Sequence, residues 1–242
     1  DGTIWSRADV RTKLISASGS PGDDVITGSS SADIIAGGHG NDTINGIGGA
    51  DIYIYNRGDG SDIIADNATD NVVDTLTLND ISPSQVSLIR NGNHVTLVIA
   101  ESAPGAGDGA SIQLGEQLDW FYDRGIEQIA FDDGTVWTPA DLRVKLLSQA
   151  STSGNDTIIG FNTADILQGA AGNDALEGAA GNDTYIYARG DGNDVITEGS
   201  GSGGSLDTLI LHGIAPGDVS LVRNGIHVSL VVAESATGAS DG

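Results

Sequence analysis

The sequence predicts an all-β fold of two short right-handed parallel β-rolls, each with a short capping helix before it and an antiparallel β segment after it. Two observations carry this prediction: aspartate recurs every nine residues in two blocks, and 36 of the 242 residues are glycine. A helix does not fit, because glycine is costly inside a helix and nine residues make two and a half helical turns. Short strands joined by glycine-rich turns do fit, because glycine adopts positive φ without strain.

An internal repeat divides the chain. Residues 1–5 recur as residues 133–137, and residues 51–55 recur as 183–187, a displacement of 132. Residues 90–95 recur one position further on, so the second copy contains one inserted residue. The chain therefore holds about 1.8 copies of the unit, and we expect it to be a window from a longer tandem array.

Each element has a local signal. Thr138, Pro139 and Asp141 are typical of a helix N-cap, first position and first turn, and Ser6 with Asp9 repeats the pattern without proline. Asn-Gly pairs at 91–92 and 224–225 and Asp-Gly at 133–134 predict hairpin turns. The predicted order is a closing hairpin end with a capping helix (1–17), the first roll (18–66), an antiparallel β segment (67–137), a capping helix (138–150), the second roll (151–200) and a truncated antiparallel β segment (201–242).

Composition excludes several classes of protein. The chain has no cysteine, which excludes disulfides, thiolate-bound zinc and thiol nucleophiles. Its net charge of −24 has the wrong sign for nucleic-acid binding. No apolar run is long enough to span a membrane. The chain also lacks methionine, so we expect a piece of a longer polypeptide.

The aspartates themselves predict a cation. Two nonamers make one coil, so aspartates 18 residues apart stack, as Asp24 does with Asp42. At a coil spacing of about 4.8 Å, two carboxylates repel by about 3.5 kcal/mol at a dielectric constant of about 20. A hard divalent cation between the turns reverses the sign. Calcium accepts six to eight oxygens in flexible geometry, whereas magnesium is stricter and zinc prefers His or Cys.

Two segments resemble a known family. Residues 37–45 (GGHGNDTIN) and 169–177 (GAAGNDALE) are similar to the nonapeptide repeat of RTX haemolysin-type calcium-binding proteins, G-G-x-G-x-D-x-U-x. Residues 53–62 and 185–194 resemble the way such blocks close. The intervening part, with DTL at 74–76, ISP at 81–83 and DGTVW at 133–137, resembles the haemolysin-type calcium-binding-related domain.

The resemblance implies a ligand set, in which carbonyls and an aspartate come from one turn and from the turn 18 residues later. In the first roll the implied ligands are Ser20, Gly22, Asp24, Gly37, His39, Gly40 and Asp42 on one face, and Ser29, Ser31, Asp33, Gly46, Gly48 and Asp51 on the other. In the second roll they are Thr152, Gly154, Asp156, Gly169, Ala171, Gly172 and Asp174, and Phe161, Thr163, Asp165, Gly178, Ala180 and Asp183. Asp62 and Asp194 close the ladders eleven residues after the last nonamer aspartate. We expect roughly two to four calcium ions per roll.

The departures from the pattern matter. Ser31, Thr163 and Ala164 stand where the family pattern has glycine, so we expect weaker or reshaped sites at those turns.

The resemblance further implies a non-catalytic, calcium-dependent folding module of a large secreted bacterial protein, exported by type I secretion to the medium or the cell surface. A structural or extender repeat of a surface adhesin is the first interpretation. The alternative is an accessory carrier or polysaccharide-binding module of a secreted RTX protease, lipase or alginate epimerase. A receptor-binding block of a pore-forming toxin is the third. The implied partners are calcium, neighbouring repeat units and, as an open alternative, polysaccharide or a cell surface.

Four other motifs have a plain structural interpretation that we favour. Arg-Gly-Asp at 57–59 and 189–191 matches the integrin tripeptide, but lies where the closing turn of each roll is expected. His94 and His227 fit surface strand positions better than a ligand or pH role. Trp5, Trp120 and Trp137 with Phe121 and Tyr122 fit core packing better than a sugar platform. GASDG at 238–242 matches a nucleophile elbow by chance, because that motif needs a strand, a helix and a histidine partner.

Overall fold

The structure, a computed structural model, describes residues 3–16, 19–66, 70, 72–118, 124–198 and 206–235. The chain forms two compact units, Asp1–Leu142 and Arg143–Gly242. Trp120, Phe121, Tyr122 and residues 238–242 lie outside the described residues, so the proposals made for them stay untested.

The first unit contains one helix and eleven strands among its described residues. They are α1 (Arg7–Ser16), β1 (Val25–Thr27), β2 (Ile34–Ala36), β3 (Thr43–Asn45), β4 (Ile52–Asn56), β5 (Asp62–Ala65), β6 (Thr75–Asn79), β7 (Val86–Asn91), β8 (His94–Ile99), β9 (Ala110–Leu114), β10 (Gln128–Phe131) and β11 (Val136–Trp137), with a 3₁₀ turn at Pro83–Gln85. The boundary between the two units falls within α2 (Pro139–Ala150). Neither of these helices is long and apolar enough to span a bilayer.

Two sheets form the first roll. One has the order β1-β3-β5-β9-β8-β7 and the other β2-β4-β6-β10-β11. The roll strands pair in parallel with an offset of one coil, as in Ile26 with Ile44 and Ile35 with Tyr53. The predicted nearly all-β fold with parallel coils is therefore confirmed.

The segment predicted as antiparallel is only partly so. β7 with β8, β8 with β9, and β10 with β11 are antiparallel. In contrast, β6 pairs in parallel with β4, β10 with β6, and β9 with β5. The reason is that the last coil leaves two strands with unpaired N–H and C=O groups, and the following chain satisfies them by extending both sheets.

The core is one column of inward side chains per sheet. Ile26, Ile44 and Ile64 are buried in one sheet, and Ile35 and Tyr53 in the other. Each follows an aspartate by two positions, as the nine-residue period predicts. Burial of one such side chain stabilises the fold by about 1.5–3 kcal/mol.

Both helices begin with the predicted cap. The Ser6 backbone N–H donates to Asp9 Oδ2 (2.8 Å), and the Asp9 N–H donates to Ser6 Oγ (3.2 Å). In α2 the Thr138 N–H donates to Asp141 Oδ2 (2.8 Å) in the same way. The hydrogen bond from the Ser6 hydroxyl lowers the pKa of Asp9.

The second unit repeats the roll. Its strands are β12 (Thr157–Ile159), β13 (Ile166–Gln168), β14 (Ala175–Glu177), β15 (Thr184–Ala188), β16 (Val195–Thr197), β17 (Thr208–His212), β18 (Val219–Asn224) and β19 (His227–Val232). They form parallel sheets β12-β14-β16 and β13-β15-β17, and an antiparallel hairpin β18-β19.

Candidate metal centre

A ladder of hydrogen bonds links the nonamer aspartates. The backbone N–H of Asp24 donates to Asp42 Oδ1, and that of Asp33 donates to Asp51 Oδ1, both at 2.8 Å. The second roll has the same rungs from Asp156 to Asp174 Oδ1 (2.8 Å) and from Asp165 to Asp183 Oδ1 (2.9 Å). The accepting aspartate of each rung therefore uses one carboxylate oxygen to link its coil to the previous one.

The second oxygen of the same carboxylates does not accept a hydrogen bond from the neighbouring coil. Oδ2 of Asp42, Asp51, Asp174 and Asp183 is buried and has no hydrogen-bond partner among the described residues. A buried, unpaired carboxylate oxygen is costly unless a cation accepts it. Four such oxygens at equivalent places in the two rolls fit a hard cation that binds oxygen, which is the chemistry of calcium.

Glycine makes room for these oxygens. A Cβ on Gly37 would overlap Asp42 Oδ2, and one on Gly46 would overlap Asp51 Oδ2. Gly169 and Gly178 stand in the same relation to Asp174 and Asp183. The first position of the nonamer is therefore glycine because the carboxylate lies against the backbone.

Main-chain carbonyls of one coil face the turn of the next. A Cβ on Gly38 would lie 2.7 Å from Ser20 O, and one on Gly40 would lie 2.6 Å from Gly22 O. In the second roll a Cβ on Gly172 would meet Gly154 O, and one on Gly181 would meet Thr163 O. The structure thus brings Ser20, Gly22 and the turn 37–42 together.

Some implied ligands lie in turns without glycine at the second position of the nonamer. Ile47, Ala170 and Ala179 have positive φ (81°, 66° and 70°) beside Gly48, Ala171 and Ala180 respectively. A side chain in this region is strained by about 1–2 kcal/mol per residue. The turns keep the same backbone shape although the sequence departs from glycine.

The first aspartate of each column is arranged differently. Oδ2 of Asp24, Asp33, Asp156 and Asp165 accepts the backbone N–H of the residue four positions earlier, at 2.6–2.7 Å. Asp33 Oδ1 also forms an ion pair with Arg11 Nε of α1 (2.8 Å), and Arg11 Nη2 donates to Ala32 O (3.0 Å). The sequence analysis missed Arg11, because nothing in the local pattern indicates which strand a helix residue will reach.

The closing aspartates join the ladder despite their irregular spacing. The Asp42 N–H donates to Asp62 Oδ1, and the Asp174 N–H donates to Asp194 Oδ1, both at 3.0 Å. Burial raises the pKa of Asp62 to about 6, and also raises the pKa of Asp42, Asp183 and Asp194. These carboxyls therefore hold a proton more tightly than exposed ones, as expected of anions that lack a counter-charge.

The Arg-Gly-Asp motif is part of the fold. The Arg57 guanidinium donates to Asp80 O, Ala100 O and Gln85 Oε1, each at 2.9 Å. Asp59 Oδ2 accepts the N–H of Asn56 (2.8 Å) and is buried. Both side chains are thus engaged within the unit, which agrees with the structural interpretation.

The side chains of His39 and His94 each make a hydrogen-bond contact near the surface of the first unit. His39 Nδ1 lies 3.2 Å from Gly58 O, with its side chain mostly exposed. His94 Nδ1 accepts the Glu116 N–H (3.1 Å) and is half-buried on β8.

Two further acids in each unit, which the sequence analysis did not single out as ligands, lie beside the ladder. One carboxylate oxygen from each of Asp51, Asp66 and Asp74 lies within 4.8 Å of the others, and all three residues are buried. Asp183, Glu198 and Asp207 form the equivalent group in the second unit. Their recurrence as acids in both copies was the available signal. Burial raises the pKa of Asp51 to about 7 and that of Asp74 to about 6.

Comparisons with known proteins agree with this geometry. The model of the RTX calcium-binding nonapeptide repeat, with four copies, matches residues 18–53 and 151–185. The model of the haemolysin-type calcium binding protein related domain matches residues 116–141. A search of curated proteins found no match.

Among solved structures, the extracellular lipase LipA from Serratia marcescens is similar at 16% identity, with a TM-score of 0.17. The alignment covers 90% of this chain, which spans 37% of that lipase. On the family matches, the chain carries two blocks of RTX calcium-binding nonapeptide repeats and a haemolysin-type calcium binding protein related domain.

Proposed function

We propose that the chain is a non-catalytic module whose folding depends on calcium. The observation that carries the proposal is the set of four buried, unpartnered Oδ2 atoms of Asp42, Asp51, Asp174 and Asp183. Calcium, when bound, supplies two positive charges and accepts six to eight oxygen ligands. The ligands that we propose are these carboxylates together with the carbonyls named from the resemblance, such as those of Ser20 and Gly22.

The residues themselves explain why folding and binding are coupled. The ladder stacks carboxylates at the spacing of adjacent coils, about 4.8 Å, where like charges repel, and glycine adds backbone entropy to the unfolded chain. The roll without calcium therefore has a low free energy of unfolding. Any ligand that binds only the folded state adds RT ln(1 + [L]/Kd) to its stability. At the millimolar calcium found outside cells, this term favours the folded roll.

The test is a calcium titration followed by circular dichroism. We expect little β signal in a calcium-free buffer, and a cooperative gain of β signal as calcium rises to millimolar levels. Magnesium at the same concentration serves as the matched control and should produce a much smaller change. A chain that is fully β-folded without calcium, with no rise in melting temperature on adding it, would overturn the proposal.

For the parent protein, we propose an extender repeat of a secreted or cell-surface adhesin. The supporting observation is the displacement of about 132 residues, which repeats the whole roll with its aspartate ladder within one chain. Repeats of this kind stack into long, stiff arrays. The alternative is an accessory module of a secreted enzyme. Binding of the calcium-loaded chain to a glycan array would favour the alternative, and its absence at micromolar protein would favour the extender.

A further inference from the structure

At the end of each aspartate ladder, the last nonamer aspartate lies beside two acids that the nonapeptide pattern does not contain. We call this group the closing cluster: Asp51, Asp66 and Asp74 in the first unit, and Asp183, Glu198 and Asp207 in the second. In the first unit the rung from Asp51 to Asp74 spans 23 residues rather than 18. Five more residues therefore separate these two aspartates than in a regular rung, and Asp66 directly follows β5 (Asp62–Ala65).

Asp51 Oδ2 is the observation that indicates a ligand. Asp51 is fully buried, and this oxygen has no hydrogen-bond partner among the described residues. A Cβ on Gly46 would overlap both Asp51 Oδ2 and the Tyr53 hydroxyl, and would lie 3.0 Å from Asp66 Oδ2. The oxygens of Asp51, Tyr53 and Asp66 therefore converge on one point beside the Gly46 backbone.

The hydrogen bonds around the cluster orient the carboxylates without neutralising them. The Tyr53 hydroxyl donates to Asp66 Oδ2 (2.6 Å), and the Asp51 N–H donates to Asp74 Oδ1 (2.7 Å). Behind them, the Asp74 N–H donates to Glu127 Oε2 (2.7 Å). These donors are uncharged, so they orient the carboxylates without supplying a positive charge.

The same arrangement recurs in the second unit. The Tyr185 hydroxyl donates to Glu198 Oε1 (2.5 Å), and the Asp183 N–H donates to Asp207 Oδ1 (3.0 Å). Asp183 Oδ2 is again buried and without a partner among the described residues. Glu198 is longer than Asp66 and lies exposed, so the second cluster is more open to solvent.

We propose that each closing cluster is a further calcium site with three carboxylate ligands, one of which, Asp51 or Asp183, it shares with the neighbouring repeat site. The proposal rests on the proposed function, and its other four ligands, Asp66, Asp74, Glu198 and Asp207, lie outside the nonapeptide repeats. Two carboxylates and several carbonyls are implied for a repeat site, whereas three carboxylates converge here. The higher negative charge favours a hard cation strongly, and we expect these two sites to bind calcium more tightly than the repeat sites.

The decisive experiment counts bound ions in the double variant Asp66→Asn/Glu198→Gln, using native mass spectrometry and calorimetry with calcium alone. We expect two fewer calcium ions per chain than in the parent protein, with the loss in the tightest class of sites. Asp133→Asn is the matched control, because this exposed carboxylate lies in the turn between β10 and β11 and accepts the nearby Thr135 N–H. The control should bind the same number as the parent protein.

An unchanged count and affinity in the double variant would overturn the closing-cluster site while leaving the repeat sites intact. A parent protein that binds no calcium would instead reject the proposed function. If the double variant does not fold, Tyr53→Phe/Tyr185→Phe decides, since it removes only two hydroxyl donors. We expect the affinity of one site per unit to fall about tenfold or more, as for other outer partners of metal ligands. Unchanged affinities in that variant would count against the proposal.

Discussion

At the scale of single residues, the two carboxylate oxygens of a nonamer aspartate such as Asp42 have different surroundings. In Asp42, Oδ1 accepts the Asp24 N–H (2.8 Å), whereas Oδ2 is buried without a partner among the described residues. The first oxygen therefore contributes to the hydrogen-bonded fold, and the second is the atom that we propose as a calcium ligand. Asparagine keeps the carbonyl oxygen and removes the charge, so substitution to asparagine separates the two contributions.

We predict opposite effects of Asp42→Asn with and without calcium. Without calcium the variant should be more stable than the parent protein, by about 1 kcal/mol, because an uncompensated buried charge is gone. At millimolar calcium it should be less stable, because a ligand is lost. Thermal unfolding followed by circular dichroism in both buffers measures this. Destabilisation of similar size in both buffers would mean that Asp42 is only structural.

At the scale of elements, one arginine ties the closing turn of the roll to the strands that follow. Arg57 reaches the backbone carbonyls of Asp80 and Ala100 and the side chain of Gln85. Arg189 repeats this contact through Asp218 Oδ2 and the carbonyl of Ala233. The arginine of the Arg-Gly-Asp turn is therefore hydrogen-bonded to later segments of its own unit, and the turn is held in place by these contacts.

We predict that Arg57→Ala destabilises the calcium-loaded protein by about 2–4 kcal/mol, because three acceptors lose a charged donor. Chemical unfolding at saturating calcium gives this value. Arg223→Ala is a suitable control, since the Arg223 Nε donates to the carbonyl of the nearby Gly225 on an exposed hairpin. A change below 0.5 kcal/mol is expected there, as for ordinary surface sites. A similarly small effect for Arg57→Ala would contradict the claim that the Arg57 hydrogen bonds stabilise the first unit.

The strands of the roll could be predicted from sequence, but their continuation could not. The nine-residue period places Ile26, Ile35 and Ile44 two positions after an aspartate, and the structure buries them there. The parallel pairing of β10 with β6 joins residues more than 50 positions apart, and no local period encodes it. The Arg11–Asp33 ion pair and the role of Asp66 were missed for the same reason, since each depends on a long-range contact.

At the scale of the whole molecule, part of the net charge of −24 comes from aspartates that the fold buries, such as Asp51, Asp62 and Asp74. The pKa of Asp51 is raised to about 7, and those of Asp62 and Asp74 to about 6, against an ordinary value of 3.8. Burial is the main cause in each case, and the neighbouring carboxylates add to it. The calcium-free folded chain therefore binds protons more tightly than the unfolded chain does.

We predict that acid partly replaces calcium. Because these folded-state pKa values lie above the unfolded ones, the stabilisation is fully present below about pH 4 and is lost as the pH rises toward 7. In calcium-free buffer the β signal at pH 5 should exceed that at pH 8. At saturating calcium the order should reverse, because protons compete for the ligands. Calcium-free stability that increases from pH 5 to pH 8 would contradict the pKa shifts.

The ion pair of Arg11 with Asp33 has a consequence for the order of events during folding. Its positive charge is covalently part of the chain, so its supply does not depend on the medium. The first coil can therefore form with the charge of Asp33 already neutralised by Arg11. In our proposal, the later coils of the first roll need a calcium ion from the solution for the same purpose. We therefore expect the first roll to begin folding at the coil next to α1 and to continue coil by coil toward Asp74.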